Sequence, residues 1–261
     1  MIKLIASDID GTLLPEGTHR LNPEIFQVIQ KLKEKGVLFA AASGRHYISM
    51  SRLFEPVKND IIFITENGSY VNCRGYTMLE NRIDWAYVQE WIRQVREIPD
   101  ASFTLDTKEC FYTESRDQEF LDLVRKGYNS PMVALEDALL EERDINKMAI
   151  YRKENIEETA ALMIPRWEDR LYCVKAGDIW LDFMNKNASK GNAIRSIQKI
   201  LGISPEETMV FGDNHNDLAM MECAGESYAV GNAAEAVKKA AKYVTDTNVN
   251  DGVLKVLKTL L

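Results

Sequence analysis

The sequence predicts an α/β chain in which a parallel-sheet core is interrupted by an inserted α+β segment. Three observations carry that expectation. Short apolar runs alternate with longer amphipathic stretches through the first third of the chain. From about residue 82 to 183 the texture changes to mixed aromatics and charges with alternating runs, and after 184 the first pattern returns. The expected organisation is therefore a discontinuous core, 1–81 with 184–261, around an insert at 82–183.

Leu4-Ile5-Ala6 is the first strand-length run. The stretch Glu24–Leu32 follows with Ile25, Ile29 and Leu32 on one helical face, and Asn22-Pro23 supplies a cap and a first-turn proline. Gly36 should stop that helix. A second strand is expected at Val37–Ala42, ending on Ser43-Gly44-Arg45, and a third at Ile61–Ile64, ending on Glu66-Asn67-Gly68. In the insert, Ser102–Leu105 and Cys110–Thr113 read as antiparallel strands, and helices are expected at Trp85–Glu97, Gln118–Lys126 and Ile156–Trp167. Core texture resumes with a helix over Gly191–Leu201, a strand at Thr208–Phe211 before Gly212-Asp213, and a helix over Asp217–Ala224. No internal repeat or low-complexity tract interrupts this order.

Composition narrows the function. The 261 residues are 46% hydrophobic and 28% charged with a formal net charge of −8, which suits a globular chain. That charge argues against nucleic acid or an anionic membrane as a general partner, since both reward clustered Lys and Arg. Cys73, Cys110, Cys173 and Cys223 stand far apart and read as reduced structural thiols. Met1–Ala6 runs into Ser7-Asp8 rather than a signal-peptide core, and no apolar run approaches the ~20 residues of a membrane span, so a cytoplasmic location is expected. The sequence is silent on oligomeric state.

Chemistry concentrates where the core strands end, the place where open α/β sheets bind ligands. Asp8-Ile9-Asp10-Gly11-Thr12 follows the first strand; carboxylates at i and i+2 leave it on one side, and Gly11 permits the tight backbone after them. Such a pair can divide labour, one attacking beside a metal while the other gives and takes a proton. A solvent-exposed turn would carry the same residues. Ser43-Gly44-Arg45 offers a hydroxyl and backbone N–H groups to phosphoryl oxygens, or is an ordinary turn. Ser189-Lys190-Gly191 places one ammonium ahead of a helix, or is a surface lysine beside a capping serine. Gly212-Asp213-Asn214-His215-Asn216-Asp217 supplies hard oxygens suited to Mg²⁺, or is an Asx-rich turn capped by Asp217. All four fall at strand ends or at the adjoining helix, and four independent accidents of that kind are improbable.

DIDGT, the strand-end ASGR, SKG and GDNHND resemble motifs one to four of the haloacid dehalogenase (HAD) superfamily. Thr65–Gly68, the position of the insert and Asn216-Asp217-Leu218-Ala219-Met220 are similar to its Cof-type phosphatases with a class IIB cap. The resemblance implies a Rossmann-like HAD fold with an α+β cap and Mg²⁺-dependent hydrolysis of small phosphorylated metabolites, often sugar phosphates. Asp8 would form a phosphoaspartate and Asp10 would serve as acid, then base. Ser43, with the neighbouring Gly44, and Asn216 would bind the phosphoryl group, and Lys190 would steady Asp8 and the transferring charge. Mg²⁺ would be held by Asp8, the main-chain carbonyl of Asp10 and Asp213, with Asp217 nearby. Asp10 argues for hydrolysis or transfer over ion pumping, whose relatives carry Thr there.

A phosphomutase or a non-catalytic phospho-metabolite-binding module would keep the same core. His19, His46 and His215 read as surface residues or as neighbours of the site residues, and Trp85, Trp91, Trp167 and Trp180 as packing in the insert. Arg45 could touch a substrate phosphate, but a structural salt bridge is its expected use. The insert should act as a lid that selects the organic half of the substrate.

Overall fold

The computed structural model describes residues 1–15, 18, 20–127 and 131–261, so the expectation for His19 lies outside the described residues. In chain order the first elements are β1 (Leu4–Asp8), α1 (Glu24–Glu34), β2 (Leu38–Ala42), α2 (Tyr47–Leu53), β3 (Ile62–Thr65), β4 (Tyr70–Cys73) and β5 (Tyr76–Glu80). Next come α3 (Trp85–Val95), β6 (Ser102–Asp106), β7 (Phe111–Thr113), α4 (Gln118–Asp122), β8 (Met132–Ala134), β9 (Lys147–Tyr151), α5 (Ile156–Trp167), β10 (Leu171–Ala176) and β11 (Trp180–Asn185). The chain finishes with α6 (Lys190–Leu201), β12 (Thr208–Gly212), α7 (Leu218–Met221), β13 (Glu226–Ala229), α8 (Glu235–Ala240), β14 (Tyr243–Val244) and α9 (Gly252–Lys258).

These elements form two compact units, Met1–Leu79 with Ser189–Leu261, and Glu80–Ala188. The first is built on an eight-stranded sheet in the order β14-β13-β12-β1-β2-β3-β4-β5. Its strands from β14 to β3 run parallel, and β4 turns back antiparallel to β3. The central strand β1 is apolar without alternation because both faces are covered: Leu4, Ile5 and Ala6 are wholly buried. Helix α1 buries Ile25, Val28, Ile29 and Leu32, the i, i+3, i+4, i+7 stripe of an amphipathic helix. Pro23 rather than Asn22 occupies its cap position, while Asn22 Oδ1 accepts the Glu24 N–H at 3.0 Å. Gly36, with φ of +79°, lies just beyond the helix end.

The second unit is a six-stranded sheet, β10-β11-β9-β6-β7-β8. The pairs β6–β7, β6–β9, β9–β11 and β10–β11 are antiparallel, as the alternating sequence requires. One face packs under α3 and α5, with Trp91 and Trp167 fully buried among Phe103, Leu105, Met148 and Phe183. Trp180 packs at a tilt against Phe120 and Tyr151 in a smaller cluster. The helix expected over 118–126 is α4 continued by a wider π turn over Leu123–Gly127, and the one expected over 217–224 is the single α turn α7 after a 3₁₀ turn.

Candidate active site

The first sheet fixes where a site must form. From β1 the chain steps outward through β2 and β3, then returns to the other side of β1 for β12, β13 and β14, so the order reverses at β1. Asp8 is the last residue of β1 and pairs in register with Ala42; Ser7 pairs with Phe211. Ser43 and Asp213 therefore leave the ends of the strands that flank Asp8.

Helix α6 adds the cation. Ser189 caps it by accepting the Asn192 N–H at 3.0 Å, and Lys190 is its first residue. The buried Lys190 ammonium donates to Asp8 Oδ1 at 2.5 Å and to Asp217 Oδ1 at 2.7 Å. Burial alone would lower its proton affinity; the charges of Asp217 and Asp8 outweigh that and hold Lys190 above the usual lysine range. Asp217 is wholly buried, and its Oδ2 accepts the N–H groups of Asp213 and Asn214 at 2.9 and 3.1 Å, so this carboxylate also ties down the loop after β12.

Asp213 is pinned from the other side. Thr12 donates its hydroxyl to Asp213 Oδ1 at 2.7 Å, and a Cβ on Gly11, whose φ is +87°, would fall 2.3 Å from Asp213 Oδ2. Only glycine fits that approach. Carboxylate oxygens of Asp8, Asp213 and Asp217 all lie within 4.8 Å of one another, yet Asp8 Oδ2 is buried with no hydrogen-bond partner among the described residues. Burial pushes Asp8 well above its usual range against the pull of Lys190, and Asp217 and Asp213 push it further. Burial raises Asp213 as well, with Asp217 adding to it and the Thr12 hydroxyl opposing. Three carboxylates facing one ammonium leave an excess of negative charge, and hard oxygen donors of this kind fit a divalent cation such as Mg²⁺.

At the end of β2, the strand beside Asp8, a group of polar residues is held by a strained main chain. Ser43 is buried; its N–H donates to the Ile64 carbonyl, and its own carbonyl accepts the Asn67 N–H at 3.0 Å. Glu66, Asn67 and Gly68 have φ of +47°, +53° and +98°, three successive residues in a region that side chains disfavour. A Cβ on Gly68 would collide with the Ser189 carbonyl at 2.3 Å, so this turn presses on the start of α6. The buried Asn67 side chain packs against Gly44 and accepts the Asn216 amide at 3.0 Å.

Asp10 lies half-exposed at the rim. Its carboxylate is gripped at both oxygens by Arg45, through Nε to Oδ2 at 2.8 Å and Nη2 to Oδ1.

Comparison with known proteins agrees with this geometry. The model of the haloacid dehalogenase-like hydrolases matches residues 5–257. The chain belongs to that family. Among its relatives, a 5-amino-6-(5-phospho-D-ribitylamino)uracil phosphatase of Escherichia coli is 28% identical over 261 residues, covering 100% of this chain and 96% of its own. A solved structure from Eubacterium rectale is 34% identical with a TM-score of 0.94, over 100% of this chain and 99% of that one. The solved structure of a subclass IIB sugar phosphatase of the HAD superfamily is 26% identical with a TM-score of 0.80, over 99% of this chain and 98% of that one. This hydrolase is an enzyme of the family's phosphatase branch.

Within the hydrolase, Asp8, Lys190, Asp213 and Asp217 come together in one hydrogen-bonded cluster, and Ser43, Gly44 and Asn216 meet around Asn67. Arg45 makes a salt bridge, as its residue type suggested, but its partner is Asp10. His46 is buried rather than on the surface and caps α2 through Nδ1, whereas His215 is exposed. Asn67 and Thr12 escape a reading by residue type. The signal for Asn67 is positional, since Asn-Gly after β3 stands at the same sheet edge as the other strand-end groups.

Proposed function

We propose that this hydrolase cleaves small phosphorylated metabolites, phosphate esters of sugars and polyols first among them, by passing the phosphoryl group through Asp8. The observation that carries the reading is the asymmetry of the Asp8 carboxylate, which clusters with Asp213 and Asp217: Lys190 holds Oδ1, while the buried Oδ2 has no hydrogen-bond partner among the described residues. A carboxylate so placed is an anchored nucleophile. Mg²⁺, held by Asp8, Asp213 and the Asp10 carbonyl with Asp217 behind them, would supply positive charge for the equatorial oxygens of the transferring group.

The residues then divide the work. Asp8 attacks phosphorus as the ester P–O bond breaks, and Asp10 gives its proton to the leaving oxygen. Asp10 next takes a proton from the water that attacks the phosphoaspartate, which returns Asp8 as a carboxylate and frees phosphate. Ser43 and the Asn216 amide, the latter oriented by Asn67, donate to phosphoryl oxygens, and Lys190 offsets the charge that builds on them. We assign this catalysis to 1–79 with 189–261 and discrimination of the organic half to 80–188. Support for a polyhydroxylated alcohol comes from the names of two relatives, a phosphoribitylaminouracil phosphatase and a sugar phosphatase. The four free thiols and the absence, among the described residues, of a helix long and apolar enough to cross a membrane suit a cytoplasmic enzyme.

The test is phosphate release from an aryl phosphate and a panel of sugar and polyol phosphates, with Mg²⁺ or EDTA. Metal-dependent release that Asp8→Asn abolishes is the expected result. Equal release in EDTA, or by the Asn variant, would overturn the assignment; isomerisation without release would make the enzyme a mutase.

A further inference from the structure

The pairing of Arg45 with Asp10 has a consequence for the catalytic cycle. Arg45 is fixed at its backbone: its N–H donates to Ser43 Oγ at 3.1 Å and its carbonyl accepts the Glu66 N–H at 3.1 Å. Its side chain extends from this phosphate-binding turn across the end of β2 to Asp10, beyond the end of β1, and occupies both carboxylate oxygens. With the guanidinium on both of its oxygens, the Asp10 carboxyl is turned toward Arg45 and away from any leaving group. Asp10 must therefore leave Arg45 at some point in every turnover.

The pair is built to part. The side chains are 27% and 49% exposed, and an ion pair that is open to water holds weakly. The guanidinium that Asp10 leaves behind presents the fork geometry that matches two oxygens of a phosphate. We propose that Arg45 is a positioning residue that keeps Asp10 out of reach in the resting enzyme and exchanges it for the phosphoryl group of the arriving ester. Substrate anion and Asp10 compete for one guanidinium, so binding of the ester frees Asp10, which takes a proton from the monoanionic ester and passes it to the leaving oxygen. This inference rests on the acid–base role given to Asp10 under the proposed function.

A double-mutant cycle on the binding of inorganic phosphate to the full chain with Mg²⁺, read by calorimetry, tests it. Asp10→Asn removes the competitor and is expected to tighten phosphate about tenfold. Loss of the Asp10 charge helps an anion with or without Arg45, so the diagnostic quantity is the coupling: in an Arg45→Ala background the gain should shrink at least about threefold. Arg45→Lys keeps the charge without the fork and should fall nearer to the alanine variant. In turnover, Arg45→Ala should raise KM more than it lowers kcat. An equal gain from Asp10→Asn in both backgrounds, with ester turnover intact in the wild type, would overturn the exchange alone. A wild type that neither binds phosphate nor turns over any ester would overturn the catalytic reading together with it.

Discussion

Each unit of this hydrolase buries a lysine between aspartates, and the two clusters are put together differently. In the first, Lys190 stands at a helix start and meets Asp8 and Asp217 at 2.5 and 2.7 Å, with Asp213 alongside, so the carboxylates come from the ends of separate elements. In the second, Lys147 on β9 lies opposite Asp106 on β6 and diagonally from Asp182 on β11, at 3.3 and 3.8 Å, all within one sheet. Strand pairing fixes the second set at sheet spacing, where it can balance charge. Loops and a helix start bring the first set closer and add a third carboxylate, Asp213, beside the pair. The contrast teaches that the chemistry goes with the strand-end position and with Asp213 as a further carboxylate beside the pair, rather than with a buried Lys–Asp pair as such.

The sharpest way to break this contrast is to remove one member of each cluster. Asp8→Asn should lower phosphate release by more than about a thousandfold while the circular dichroism spectrum and melting behaviour stay native-like, as befits loss of a nucleophile. Lys147→Met should instead act on stability: it leaves two buried carboxylates facing each other without their cation, at a cost of about 3 kcal/mol in urea unfolding. If Lys147→Met left stability untouched and abolished inorganic phosphate binding, the division of roles would fail.

Metal and pH sharpen the comparison further. A carboxyl whose folded pKa is raised binds its proton more tightly in the folded chain than in the unfolded one. The stability that Asp8 and Asp213 contribute is thus fully present below the unfolded carboxylate pKa, about 4, and is lost as pH rises through their raised folded values. A divalent cation should counter that loss. Mg²⁺ at about a hundred times its Kd should therefore stabilise the wild type by about 2.7 kcal/mol near neutral pH, and by progressively less as pH falls toward 4. Asp213→Asn should remove most of that gain, whereas Asp182→Asn, in the other cluster, should leave it unchanged. Thermal scans with Mg²⁺ and with EDTA across this pH range read both effects.

Much of this site was legible in the sequence because strand-end groups are dictated by register. Once Leu4–Ala6, Val37–Ala42 and Thr208–Phe211 are read as neighbouring parallel strands, Asp8, Ser43 and Asp213 have to emerge together. What escaped was set by backbone strain and by long side chains. No periodicity foretells that Glu66-Asn67-Gly68 takes three successive positive φ values, and Arg45 reaches Asp10 across 35 residues of sequence. His46 is buried because it turns inward to cap α2, which its place beside a turn does not foretell. The helix expected at 118–126 widened into a π turn, a deviation that local propensity does not encode.

The smallest expected effect concerns Asn67. Asn67→Gly removes the acceptor for the Asn216 amide and keeps the left-handed backbone, so it should raise the barrier to phosphoryl transfer by about 1 kcal/mol with little loss of stability. Asn67→Ala should show the same kinetic defect plus a further ~1 kcal/mol of destabilisation, because alanine pays for positive φ. Parallel kinetics and urea titrations separate the two. Equal stability of the two variants would remove strain from the account of this turn.

The central claim is a covalent one, and acid-quenched peptide mass spectrometry tests it directly. Asp10→Asn should slow breakdown of the acyl phosphate, so mixing this variant with Mg²⁺ and an aryl phosphate, then quenching within one turnover, should leave one phosphoryl group on the peptide that contains Asp8. An unmodified Asp8 peptide, or a phosphoryl group on another residue, while the ester is being consumed, would contradict it.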